Sequence, residues 1–141
     1  MQFKYNFTKS DTDKIPFVDV IVGNPNNGVK ISYRVLLDSG AYMCVFHTDI
    51  AKVLRIDLSK IQYTDVFYGV EKSKRGMRGK RYIVDLMLVQ KGQSHKFQSY
   101  VVFSDEILAN GYGLLGRQGF FDSFDEVAFN YKSNKFYLKK N

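Results

Sequence analysis

Nine consecutive residues, Arg34-Val35-Leu36-Leu37-Asp38-Ser39-Gly40-Ala41-Tyr42, place an acid, a hydroxyl and a glycine directly after an apolar run. Asp and Ser favour turns through local side-chain hydrogen bonds, and Gly through its free φ. The stretch reads as a buried strand that stops at Asp38 and presents its carboxyl at the strand's end. Such an acid is either a satisfied turn residue or a catalytic group, and these nine residues alone leave both open. Other chemistry has few candidates. Cys44 is the only cysteine, so no intramolecular disulfide is available, and His47 and His95 are too few for a zinc thiolate site. Cys44 and His47 are three residues apart, on opposite faces of a strand, so a buried structural Cys44 is expected rather than a thiol–imidazole pair. A phosphoryl-accepting Asp38 would want further acids to hold magnesium, and the nearest is Asp49. Gly111-Tyr112-Gly113-Leu114-Leu115-Gly116 matches a dinucleotide-binding fingerprint, but it lacks the preceding strand and the surrounding α/β alternation that give the fingerprint meaning. Neither a metal nor a cofactor is expected.

The elements that must position Asp38 read mainly as strands. Phe3, Tyr5 and Phe7 alternate with polar residues, and Phe17 to Val22 is a β-branched run after Pro16. Asn24-Pro25-Asn26-Asn27-Gly28 reads as a turn that closes it, and Val29 to Leu37 as the return strand delivering Asp38. Met43 to Phe46 is apolar again, and a cap at Thr48 predicts a short helix after it. Gln62 to Val70, Arg81 to Val89 and Phe97 to Phe103 read as strands, with Glu71 to Lys80 as a long, mobile, charged hairpin tip. Gln118 to Phe124 predicts one or two helical turns, and Val127 to Tyr131 with Lys135 to Leu138 a last hairpin. The sum is one mainly β domain over residues 1–141, with roughly eight short strands and one or two short helices.

Composition narrows the class without naming it. At 141 residues, 45% hydrophobic and 16% aromatic, the chain can bury a core and is not disordered. A net charge of +7 and a pI near 9.4 are compatible with acidic partners, but charge alone gives no case for nucleic acid. No run approaches the roughly 18 apolar residues of a membrane span, and the start has no apolar leader segment, so a cytoplasmic domain without membrane contact is expected.

Two distant pieces together resemble a known family. Leu36-Leu37-Asp38-Ser39-Gly40-Ala41 is followed about 75 residues on by Gly113-Leu114-Leu115-Gly116-Arg117. Their order, spacing and the long hairpin between them resemble the retropepsin-like aspartic proteases, single-domain enzymes in which two identical chains build one active site. The likeness covers roughly Phe17 to Leu138. It implies an all-β fold, a closed barrel with a flap hairpin, and a homodimeric endopeptidase acting on polypeptide. Asp38 would activate water with its own copy, Ser39 would lock the paired loops across the dimer axis, and Gly40 would let the substrate backbone approach. Ala41 would line the cleft, and Tyr68, Gly69 and Val70 would contact substrate from the flap. The apolar residues before Gly116 would pack beneath the Asp38 loop. Both terminal strands are candidates for a dimer sheet.

Two departures stand out. Viral members often carry acids after the alanine that pair with the arginine of the second motif, whereas this chain has Tyr42 and Met43. Arg117 must therefore find Asp122, Asp125 or carbonyls of its own chain. The hairpin tip is also unusually basic, since six of the ten residues from Lys72 to Arg81 are Lys or Arg. That keeps open an alternative: a catalytically inactive dimeric binding module for an acidic protein or nucleic-acid partner. The intact Asp38-Ser39-Gly40 triplet favours the enzyme.

Overall fold

The computed structural model describes residues 1–67, 76–107 and 111–141. Its strands are β1 (Gln2–Asn6), β2 (Thr8–Lys9), β3 (Lys14–Ile15), β4 (Phe17–Gly23), β5 (Lys30–Leu37), β6 (Cys44–His47), β7 (Asp65–Phe67), β8 (Met77–Gln90), β9 (Gln93–Ser104), β10 (Gly113–Leu115), β11 (Glu126–Asn130) and β12 (Lys135–Lys139), with one α-helix, α1 (Thr48–Val53). The large sheet runs β4-β5-β10-β6-β9-β8-β7, and β4 also pairs with β8. That extra pairing, Ile21 to Met87 through Gly23 to Asp85, closes the sheet into a barrel and removes two edges. β1, β12 and β11 form a separate antiparallel sheet, and β2 pairs with β3.

Period-two alternation explains why these segments are strands. Val18, Val20 and Val22 of β4, and Val84, Leu86 and Leu88 of β8, are all buried on the barrel's inner face. β6 differs, because Cys44, Val45 and Phe46 are buried consecutively. It sits between β10 and β9 and is covered on both faces, which a continuous apolar run permits. Phe3, Phe136 and Leu138 of the terminal sheet join the barrel residues in one core, and a smaller cluster of Met43, Val45 and Val102 packs with Ile107 and Leu114 on the other face.

Several expectations need correction. Among the described residues there are twelve strands rather than about eight, because the short pair β2 and β3 and the brief β10 are set by pairing rather than by pattern. The helix after β6 is capped by His47, not Thr48: the His47 Nδ1 accepts the Asp49 amide at 3.0 Å. Gln118 to Phe124 forms only a single 3-10 turn at Phe121–Ser123. Gly119, at φ 96°, breaks any helix that would begin earlier. Met77 to Lys80 belong to β8 rather than to a loop, and paired with Asp65 to Phe67 they make the base of the hairpin. Arg81 fastens that base with two bonds to Asp65, at 2.8 and 3.2 Å. Residues 68–75, which carry the rest of the charged tip, lie outside the described residues.

Candidate active site

The Asp38 loop is built by the end of one strand and braced by another. β10 runs parallel to β5, with Leu114 opposite Leu36 and Leu115 opposite Leu37. The Asp38 amide donates to the Leu115 carbonyl at 3.0 Å, which carries the pairing one residue past the strand. The chain then turns, with the Ala41 amide on the Asp38 carbonyl at 3.1 Å and the Gly40 amide on Asp38 Oδ1 at 2.9 Å. The turn reading and the functional reading are therefore compatible. One carboxylate oxygen holds the loop, while Oδ2 has no hydrogen-bond partner among the described residues. Ser39 and Gly40 are exposed at the tip, and Ala41 is half-buried beside them.

The second motif locks onto the first. The Arg117 amide donates to the Ala41 carbonyl at 2.9 Å and the Gln118 amide to the Tyr42 carbonyl at 2.8 Å, so Met43 and Gln118 form a parallel bridge. Arg117 Nη1 donates to the Ser39 carbonyl at 2.9 Å, which answers the question left by the missing acids: its partner is a carbonyl of its own chain. Gly116 is required by contact, because a Cβ there would run into the Met43 carbonyl. Leu115 is fully buried beneath this loop, as the resemblance implied.

Cys44 is fully buried, and its thiol is pushed up to about 11, chiefly by burial. It supports the loop by accepting the Gly116 amide at 3.4 Å and takes no part with His47, which is occupied in capping α1. The glycine-rich stretch 111–116 is no phosphate cradle, since Gly113 to Leu115 form a strand inside the barrel. Among the described residues no three His, Cys, Asp or Glu side chains are grouped to hold a metal. Tyr68, Gly69 and Val70 lie outside the described residues.

Sequence reasoning missed the approach to Asp38. Phe17, Leu36, Leu114 and Val45 are successive register partners across β4, β5, β10 and β6, so they form one row on one face. Phe17 also packs on the half-exposed Tyr112 at 4.2 Å between ring centroids. Leu36 was visible in the sequence only as part of the apolar run Val35 to Leu37, and only the register joins it to Phe17. A cavity of ≈ 590 Å³ lies alongside, lined by Met43, Gln118, Tyr100 and Arg81 among others, and Asp38 does not line it.

No family model matches the sequence, and no curated protein does. Solved structures do. A retropepsin-like aspartic protease from Rickettsia conorii superposes with a TM-score of 0.62 at 16% identity, covering 99% of this chain and 92% of that one. The EIAV protease in an inhibitor complex gives 0.37 at 21% identity over 78% of this chain and 88% of that one, too loose a superposition to bear on this chain. The first likeness and the closed barrel define the fold, which is retropepsin-like.

Proposed function

We propose that the chain is one half of a homodimeric aspartic endopeptidase whose active site holds two copies of Asp38. The observation that carries the reading is the placement of Asp38: it stands at the end of β5, clamped by Leu115 and Arg117, with one carboxylate oxygen bound within its loop and the other unpartnered among the described residues. A single carboxylate cannot serve as both base and acid in one step. Two brought to about 3 Å cannot both ionise, so they share a proton and divide the roles. The ionised Asp38 takes a proton from water as the water oxygen bonds to the peptide carbonyl carbon. The protonated copy donates to the developing oxyanion and afterwards a proton passes to the leaving nitrogen as the C–N bond breaks. Ser39 and Gly40, exposed at the loop tip, are positioned to meet the second copy and the substrate backbone. Ala41, Phe17, Leu36 and Tyr112 offer apolar surface to the flanking side chains, and the β7–β8 hairpin is the element from which Tyr68, Gly69 and Val70 would cover an extended peptide.

Asp38→Asn tests this directly. The variant is expected to keep the circular dichroism and melting behaviour of the parent and to lose cleavage of a mixed peptide library, read by mass spectrometry. Cleavage that persists in Asp38→Asn would remove Asp38 from the mechanism.

A further inference from the structure

The β7–β8 hairpin is held at its base from both sides. On one side β7 pairs with β8, with Val66 opposite Arg78, and Asp65 holds Arg81. On the other side the neighbour is β9, but its pairing with β8 ends at Phe103 opposite Lys80. β9 itself ends at Ser104, so Arg78 lies beyond the last paired residue. A backbone N–H and C=O in that place must find partners outside the ladder.

Two side chains supply them. The Ser104 hydroxyl donates to the Arg78 carbonyl at 2.6 Å and accepts the Glu106 amide at 3.1 Å, while the Glu106 carboxylate accepts the Arg78 amide through Oε2. Ser104 and Glu106 thus stand in for the next residue of a strand that has already turned away. Ser104 is buried and cannot fall back on water, and a carboxylate on a backbone N–H is the stronger kind of acceptor. Packing does less of this work. Gly79 lets β8 touch β9, since a Cβ there would run into the Phe103 carbonyl and the Val102 side chain. Beside that contact opens a cavity of ≈ 480 Å³, lined by Thr48, Leu58, Lys80 and Glu106 among others. On that side hydrogen bonds, not filled space, fix the strand.

The segment carrying Glu106 has two further anchors. Asp105 accepts the Thr48 hydroxyl at the start of α1, and Ile107 packs on Met43, Val45 and Val102 together with Leu114. Val45 and Leu114 belong to the row beside Asp38. Residues 105–107 therefore join the hairpin base to the wall of the Asp38 loop.

We propose that Glu106 is a positioning residue: with Ser104 it clips the backbone of Arg78 and so sets how the β7–β8 hairpin leaves the barrel beside Asp38. The inference rests on the reading of that hairpin as the cover of a bound peptide. Glu106 acts on neither water nor the peptide bond. A peptide that meets an unclipped hairpin has to order it, and that cost falls on binding.

Two readouts on the full chain test the clip. In Glu106→Ala the Arg78 amide is expected to exchange its hydrogen about tenfold faster than in the parent, with the Val84 and Leu86 amides of the same strand unchanged. In peptide cleavage the same variant is expected to raise KM about fivefold and to keep kcat within about twofold, the pattern of lost binding with the Asp38 chemistry intact. Glu106→Gln keeps a carbonyl oxygen as acceptor and is expected to recover most of both. Unchanged Arg78 exchange in Glu106→Ala would overturn the clip, and faster exchange with an unaltered KM would overturn its positioning role. Either result leaves the shared Asp38 site standing. A parent chain that cleaves no peptide would overturn that site and this inference with it.

Discussion

At the scale of single residues, the loop around Asp38 is held by backbone groups rather than by charge. Arg117 reaches the Ser39 carbonyl, so the arginine of the second motif secures the first motif without an acid on Tyr42 or Met43. That arrangement was legible only as an alternative, because sequence lists possible partners and three-dimensional distance selects one. The pair of motifs themselves were plain, since Asp-Ser-Gly and Leu-Leu-Gly-Arg depend on local chemistry. His95 shows the opposite case. Its ring lies against Phe97 and Phe124 at 5.0 and 5.2 Å, its Nε2 is buried without a partner among the described residues, and nothing in its flanking sequence announces this. Burial is the largest effect and lowers its affinity for a proton; the hydrogen bond to the Ser123 carbonyl raises it, and Lys140 lowers it further. The folded state therefore binds the proton less readily than the unfolded state, whose histidine titrates near 6.5. Stability is fully present above that value and falls as the pH drops through it toward the lower folded value. Urea midpoints measured across this range should fall with acidification in the parent, and His95→Phe should flatten that part of the profile. An unchanged slope would show that His95 does not set it.

At the scale of elements, β10 is a three-residue strand with an outsized positional role. It separates β5 from β6, carries Leu115 under the Asp38 loop and ends at the one residue that can pass the Met43 carbonyl. Gly116→Ala should overpack that crossing, cost about 1–3 kcal/mol in chemical denaturation and loosen the Asp38 loop, so cleavage should fall more steeply than stability. An alanine there with full stability and activity would show that the crossing relaxes freely. Long patterned elements such as β4 and β8 were readable in the sequence because alternation is a local property. β2, β3 and β10 are too short for alternation, and long-range pairing alone makes them strands. The helical turn expected after Arg117 is confined to Phe121–Ser123 for a local reason, the positive φ of Gly119, whose Cβ would also strike the Ser99 hydroxyl. The row from Phe17 to Val45 was out of reach for yet another reason: its members come from four strands, and only their register brings them together.

At the scale of the whole molecule, one core joins the barrel to the terminal sheet, and the proposed chemistry needs two such molecules. Mixing makes that requirement measurable. If parent and Asp38→Asn chains exchange freely at equal amounts, about half of the parent chains should sit with an inactive copy, and cleavage per parent chain should fall to about one half. Activity that simply follows the amount of parent would argue for sites contained in single chains. The barrel's closure was anticipated from its class of fold, but the pairing of β4 with β8 that achieves it has no signature in either segment.

The two ends of the chain have a consequence of their own. The Met1 amino group donates to the Lys140 carbonyl at 2.8 Å, the Lys140 amide returns a bond to the Met1 carbonyl at 2.8 Å, and β1 then runs antiparallel to β12 from that point. A pull applied between residues 1 and 140 therefore loads these hydrogen bonds one after another, as a zipper, instead of shearing the whole ladder at once. The molecule is mechanically soft along that one direction: β1 peels away first, and the barrel that carries Asp38 meets the load only afterwards.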